Sequence, residues 1–144
     1  MTCTFFGHRN ITAEIEPILQ STLINLIKNN DVKLFYVGNH GGFDNMVRRV
    51  LKKLSEQYDI SYYVVLAYMP GKKDEFSYED YSDTLMPDGI ETVPKRFAIS
   101  YRNKWMIDQS DYVVTYVTNR IASGAAQFKE LAEKRKKIVI NLYK

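Results

Sequence analysis

The chain has 144 residues, 45% of them hydrophobic, which is enough to build one domain around one buried core. No segment approaches the roughly 20 apolar residues of a membrane span, no signal-peptide pattern opens the chain, and Cys3 is the only cysteine, so we expect a cytoplasmic protein without an intrachain disulfide. The net charge of +3 is weak for a dedicated nucleic-acid binder, and the Lys and Arg clusters fit solvated helix faces.

Strand and helix patterns alternate along the chain. In order, they predict a strand at 2–6, a helix at 12–29 capped by Thr12, a strand at 33–37, a helix at 43–58, a strand at 61–67, a helix at 97–109, a strand at 111–117, a helix at 123–136 and a strand at 137–142. This alternation predicts one Rossmann-like, three-layer α/β domain over residues 1–144, with a five-stranded parallel sheet. The expected strand order, numbered along the chain, is 3-2-1-4-5.

Residues 68–94 interrupt this alternation. They contain three prolines and a mixture of Tyr and acidic residues, and they show no helical or strand period. A connection usually has about 4–6 residues, so the length favours a lid or a binding loop. A surface excursion or a dimer arm is the alternative. Glu79, Asp80 and Asp83 in this segment are candidate general bases, although no motif assigns them that role.

In the expected order, successive strands are added to one side of the first strand and then, from the fourth strand onward, to its other side. Ligands of open α/β sheets bind outside the C-terminal ends of the strands at such a point. The loop after the first strand begins with Gly7, which allows a sharp turn or a close approach to a ligand. His8 can donate or accept a hydrogen bond, and Arg9 offers a planar charged fork for phosphate. A tight turn with a solvated Arg9 is the alternative.

The second loop is the most informative stretch of the chain. Its residues are Gly38, Asn39, His40, Gly41, Gly42, Phe43 and Asp44. A strand that leads into glycines and then a helix places bare N–H groups at the positive end of a helix dipole, where phosphate-bearing or ribose-bearing ligands dock. The loop matches neither G-x-G-x-x-G nor a P-loop. Because a carboxylate at a helix start repels phosphate, we place a ribose hydroxyl at Asp44, with helix capping as the alternative.

The third loop contains Thr118, Asn119, Ser123, Gly124 and Ala125. A hydroxyl and free N–H groups at a helix start suit an anion, so phosphate is expected here or at Arg9; an ordinary N-cap is the alternative. On the preceding helix, Arg102 and Asn103 face either the ligand cleft or solvent, and Trp105 is expected in the core or an interface. No metal-ligand spacing and no nucleophile elbow occurs.

These loops together resemble the SLOG superfamily of Rossmann-like domains, which includes the LOG, DprA and YpsA-like proteins. Thr4-Phe5-Phe6-Gly7-His8-Arg9 is similar to the start of YpsA-like proteins, and Gly38-x-x-x-Gly42-Phe43-Asp44 resembles the loop shared by the YpsA and DprA branches. Arg102-Asn103 followed by Asp111 also fits. The small size and the 68–94 segment look most similar to the phage-associated YoqJ-like members.

The resemblance implies a nucleotide-derived ligand, such as ADP-ribose, NAD or an AMP-like molecule, bound across the three loops. The first hypothesis is a sensor or sequestering module that needs no cofactor or metal and is not an enzyme. The alternatives are a LOG-like nucleotide N-glycoside hydrolase and a DprA-like single-strand DNA binder. The region of Ser123-Gly124-Ala125-Ala126 lacks the P-G-G-x-G-T motif of the LOG branch. A homo-oligomer is compatible with the sequence, and membrane or nucleic-acid partners are not expected.

Overall fold

The computed structural model describes residues 1–68, 84–118 and 123–143. Within these ranges, the strands and helices follow in the order β1 (Thr2–Gly7), α1 (Ile15–Asn29), β2 (Leu34–Val37), α2 (Gly41–Gln57), β3 (Ser61–Val65), β4 (Thr84–Leu85), α3 (Lys95–Gln109), β5 (Tyr112–Tyr116), α4 (Gly124–Lys134) and β6 (Ile138–Asn141). A 3-10 turn at Ile90–Thr92 precedes α3.

The strands form one parallel sheet in the order β4-β3-β2-β1-β5-β6. The five expected strands keep their expected relative order, but the prediction of five strands was wrong. The sixth strand, β4, consists of two residues of the 68–94 segment that pair with Val64 and Val65 at the edge of the sheet. Two residues are too few to produce a recognisable period, so this strand depends on its neighbour for its existence.

Two apolar cores cover the two faces of the sheet and give the expected three layers. Phe5 of β1 belongs to the core that α1 and α2 complete, together with Leu19 and Leu51. The next residue, Phe6, belongs to the core on the α3 and α4 side, with Phe128. Successive side chains of a strand point to opposite faces, so β1 is covered on both sides. No helix in the described ranges is long and apolar enough to span a membrane.

Several element boundaries differ from those expected. The first helix begins at Ile15 and not at Thr12, whose carbonyl accepts a hydrogen bond from the Ile15 N–H. The second helix begins at Gly41, two residues earlier than expected. Ser123 does cap the fourth helix, because its Oγ accepts a hydrogen bond from the Ala126 N–H at 3.1 Å. Helix ends depend on capping contacts, which a hydrophobic pattern does not contain.

The expected lid at 68–94 is only partly described. Residues 69–83, including Glu79, Asp80 and Asp83, lie outside the described residues. The part from 84 onward forms β4 and the 3-10 turn, where Ile90 packs with Ala67 and Ala98. This part of the segment is therefore packed against the domain.

Candidate functional site

Two cavities open at the edge of the sheet where the C-terminal ends of the strands meet. The order of the sheet reverses between β1 and β5, the kind of switch point at which open α/β sheets bind ligands. One cavity, of about 180 Å³, is lined by β1, α3 and the starts of α2 and α4. The other, of about 360 Å³, is lined by the end of β5 and the residues that lead into α1. We call them the Arg102 cavity and the His8 cavity.

The Arg102 cavity brings together residues from all three predicted loops and from α3. Its expected members are Gly7, His40, Asp44, Arg102, Gly124 and Ala125. The sequence assigned the first three to two separate loops and the last two to a third. Because β1, β2 and β5 are parallel neighbours, their C-terminal loops meet at one edge.

Arg102 is the central side chain of this cavity and is 2% exposed. Its Nε donates to Asn103 Oδ1 at 3.0 Å, and its Nη1 donates to Asn39 Oδ1 at 2.9 Å and to the Val65 carbonyl at 3.2 Å. Its Nη1 also lies 3.3 Å from Nδ1 of His40. Its Nη2 makes no hydrogen bond with any residue in the described ranges. The guanidinium is thus held in place through Nε and Nη1, while Nη2 remains available as a donor as far as the described residues are concerned.

Asp44 provides the carboxylate of the same cavity. Its Oδ2 accepts a hydrogen bond from the His40 backbone N–H at 3.1 Å, so it also caps α2. Burial raises the pKa of Asp44 to about 6, although the charges of Arg102 and Arg48 and the His40 N–H act in the opposite direction. Both the ribose role and the capping role proposed for this residue are compatible with its position, since one oxygen serves the cap.

Gly38 leaves room for the side chains of both Asp44 and Arg102. A Cβ atom at Gly38 would lie 2.8 Å from Asp44 Oδ2 and 3.2 Å from Arg102 Nη1. Gly7 has a similar role for Phe43, because a Cβ at Gly7 would lie 2.3 Å from the Phe43 ring. These two glycines therefore make room for neighbouring side chains at the cavity.

The N-terminus of α2 does not present all of its N–H groups to a ligand, in contrast to the expectation from the sequence. The Gly42 N–H donates to the Arg9 carbonyl at 2.7 Å, and the Phe43 N–H donates to the His8 carbonyl at 3.3 Å. A Cβ at Gly42 would lie 2.5 Å from the Arg9 oxygen, so glycine is needed for this contact. The first and second loops thus bind each other through their backbones.

The N-terminus of α4 is the more open helix start. Gly124 and Ala125 line the Arg102 cavity, and a Cβ at Gly124 would meet no atom within 4 Å among the described residues. The first N–H groups of a helix have no partner within that helix. This end of α4, with its positive dipole, therefore faces the same space as Arg102.

The His8 cavity is lined by His8 and Arg9 of the first loop and by Thr118 of the third. The Thr118 N–H donates to His8 Nε2 at 3.0 Å, which ties the end of β1 to the end of β5. The ring of His8 meets the Tyr116 ring edge-on, with centroids 6.0 Å apart. Arg9 lines this cavity with its side chain exposed, and Asn119 lies outside the described residues.

Sequence reasoning left the orientation of α3 open and missed most of the apolar lining of the Arg102 cavity. Asn103 is buried and faces the cleft with Arg102, whereas Ile99, Met106 and Phe128 complete the walls. Helical spacing predicts that these three residues lie on the apolar faces of α3 and α4, but it does not predict that the two faces border a cavity. Trp105 is partly buried and packs on Tyr36, with ring centroids 5.1 Å apart.

No protein-family model matches the chain, and a search of curated proteins finds no match. The fold is that of a Rossmann-like parallel α/β domain. In the described ranges, no group of three His, Cys, Asp or Glu side chains is arranged to hold a metal ion.

Proposed function

We propose that this protein is a member of the SLOG superfamily and binds a nucleotide-derived ligand, ADP-ribose-like or NAD-like, as a sensor or sequestering module. The observation that carries the proposal is the guanidinium of Arg102. It is 2% exposed, it lines a cavity at the switch point, and its Nη2 has no partner within the described ranges. A buried cation with unused donors is costly unless an anion completes its shell.

A phosphate is the anion that fits this arrangement best. Arginine binds phosphate through a planar pair of N–H donors, and the start of α4 adds backbone donors and a favourable dipole at Gly124 and Ala125. These two groups lie on different elements and line the same cavity. We therefore place the phosphate between Arg102 and α4, and not at the start of α2, whose N–H groups at Gly42 and Phe43 are already used.

Asp44 supplies the complementary contact for the sugar. With a pKa of about 6, its carboxylate is mostly ionised near neutral pH and accepts hydrogen bonds. A ribose hydroxyl donates to such a group, whereas a phosphate oxygen would be repelled. The position of Asp44 and Arg102 beside the same glycine, Gly38, thus matches a sugar phosphate, which carries a donor and an anion close together.

The size of the Arg102 cavity favours a ligand that extends beyond it. Pockets for small molecules usually measure about 300–1,000 Å³, and this cavity has about 180 Å³. The His8 cavity adds about 360 Å³ at the residues that follow β1. Because Gly7 lines one cavity and the adjacent His8 lines the other, a ligand that crosses the end of β1 reaches both.

One observation favours a second candidate function, the hydrolysis of a nucleotide N-glycosidic bond. Asp44 is a carboxylate in the same cavity as the proposed phosphate, and its pKa of about 6 is close to the operating pH that suits a general acid or base. This hypothesis requires that the protein release free base from a nucleotide. Chromatography of ADP-ribose, NAD and AMP incubated with the protein, beside Asp44→Asn, measures whether free base is released and whether Asp44 is required.

The binding proposal is tested by calorimetric titration with ADP-ribose. Arg102→Lys keeps the positive charge but removes the planar fork, so we expect affinity to fall by roughly 10- to 150-fold, the scale of a charge-assisted hydrogen bond. The control is Arg49→Lys on α2, whose side chain is 61% exposed and pairs with Glu16. It should bind as the wild type does.

A thermal melt of each variant without ligand checks that it is folded. Equal affinities of Arg102→Lys and the wild type would refute the phosphate position. A wild-type protein that binds none of ADP-ribose, NAD and AMP would refute the function itself.

A further inference from the structure

We infer that the His8 cavity holds the nucleobase of the ligand, and that the Nδ1–H of His8 is the donor that recognises it. The inference rests on the proposed function, because it assigns the neutral end of the same ligand. The two ring nitrogens of His8, the ring of Tyr116 and the charge distribution of the cavity support it independently of Arg102.

The tautomer of His8 follows from its contact with the backbone. A backbone N–H only donates, so the Thr118 N–H at 3.0 Å requires Nε2 of His8 to be an acceptor. The proton of the neutral imidazole is then on Nδ1. No residue in the described ranges accepts a hydrogen bond from this Nδ1, and His8 lines the cavity. The fold therefore fixes a neutral ring with one donor that has no acceptor in the described ranges.

The walls of the cavity suit a flat, uncharged ring. Tyr116 contributes an aromatic side chain, Ile11 an apolar one, and Asn10 an amide. Aromatic rings next to polar tips bind heteroaromatic groups by stacking and by edge-on contacts. Among the described residues that line this cavity, only Arg9 carries a formal charge. Purine and pyrimidine bases both carry ring nitrogens or carbonyl oxygens that accept a hydrogen bond, as the Nδ1–H requires.

The relative positions of the two cavities support a ligand whose phosphate and base bind in different cavities. The Arg102 cavity is lined by the end of β1, α3 and the starts of α2 and α4, and the His8 cavity lies where the chain enters α1. Dinucleotides bind across such a switch point, with their ends on opposite sides. We therefore assign the phosphate end to Arg102 and the base end to His8.

The test compares two probes, ADP-ribose, which carries adenine, and ribose 5-phosphate, which lacks it. His8→Phe keeps a flat ring and removes both nitrogens, so affinity for ADP-ribose should fall by about 3- to 10-fold, the range of one lost hydrogen bond. Affinity for ribose 5-phosphate should not change. Glutamine carries a carbonyl acceptor and an NH2 donor group, so His8→Gln should retain part of the affinity for ADP-ribose. Tyr116→Leu should lower the affinity for ADP-ribose and leave the affinity for ribose 5-phosphate unchanged.

Nitrogen NMR of the histidine rings gives a direct second readout. The chain has two histidines, so His8→Phe identifies the signals of His8. In the wild type, Nδ1 should carry the proton, and its resonance should shift with ADP-ribose and stay in place with ribose 5-phosphate.

The outcomes separate this inference from the proposed function. Equal losses for both probes in His8→Phe, unchanged affinity for ADP-ribose, or a proton on Nε2 would overturn the base site while leaving the Arg102 phosphate site intact. A wild-type protein that binds neither probe would overturn both.

Discussion

Replacing Asp44 by asparagine should change the stability of this protein in a pH-dependent way. The substitution preserves the shape of the side chain and an oxygen that can accept the His40 N–H hydrogen bond. It removes the charge. In the wild type, burial is the main cause of the raised pKa of Asp44, and it outweighs the favourable charges of Arg102 and Arg48.

The magnitude follows from proton linkage. The pKa of Asp44 rises from the ordinary value of 3.8 to about 6 on folding. A difference of one in pKa corresponds to about 1.4 kcal/mol, so the ionised carboxylate costs the folded state about 3 kcal/mol. Between these two values the folded state binds more protons than the unfolded state. This residue's contribution to stability therefore falls as pH rises from about 4 to about 6.

The assay is urea denaturation of both proteins at a series of pH values. Below about pH 3 the carboxyl group of Asp44 is mostly protonated in both the folded and the unfolded state, and the two free energies of unfolding set the baseline difference. By about pH 7.5 the difference should have moved by up to about 3 kcal/mol in favour of Asp44→Asn. The effects of the other titrating groups cancel in the comparison.

Asp31→Asn is the matched control. The Asp31 side chain is 79% exposed, so its charge remains hydrated in the folded protein. Its φ of 55° is one that asparagine also tolerates. The free-energy difference between this variant and the wild type should stay nearly constant over the same pH range. A constant difference for Asp44→Asn as well, or one that moves in favour of the wild type as pH rises, would refute the reasoning.

The remaining predictions concern three glycines. Gly38→Ala should lower the free energy of unfolding by about 1–3 kcal/mol in a urea melt, because its methyl group would lie 2.8 Å from Asp44 Oδ2. Gly124→Ala, whose methyl group meets no described atom within 4 Å, should be neutral or stabilise by up to about 1 kcal/mol, and equal losses in the two variants would contradict the packing argument. Gly42→Ala should lower the free energy of unfolding more than Gly38→Ala does, because its methyl group would lie 2.5 Å from the Arg9 backbone oxygen, which cannot move as a side chain does. The same melts measure this loss. A smaller loss than that of Gly38→Ala would contradict the prediction and would mean that the loop relaxes.

The expected fold followed from hydrophobic patterning, and its one error has a clear physical origin. Runs such as Tyr112–Tyr116 are long enough to be recognised, and short connections with right-handed crossovers then fix the relative order of five strands. Thr84 and Leu85 carry no such signal. They form a strand because the edge of β3 offers unpaired backbone groups, which is a property of the assembled sheet.

The candidate site was predictable in its loops but not in its centre. The glycine-rich loop and the Gly7-His8-Arg9 turn are visible in the sequence because glycine and charge at a strand end are local features. Arg102 lies in mid-helix, where a charged residue normally faces water. The sequence left its direction open, and only the packing of α3 against the sheet shows that it is buried.

By itself, the sequence determined the alternation of strands and helices and the positions of the loops, because periodicity and glycine placement act over a few residues. Tertiary structure decided which groups meet. It paired the α2 N–H groups of Gly42 and Phe43 with the first loop, left the start of α4 facing Arg102, and buried Asp44 enough to raise its pKa to about 6. Hydrogen-bond partners and dielectric surroundings come from residues distant in the chain, and so the chemistry of the site exists only in the folded molecule.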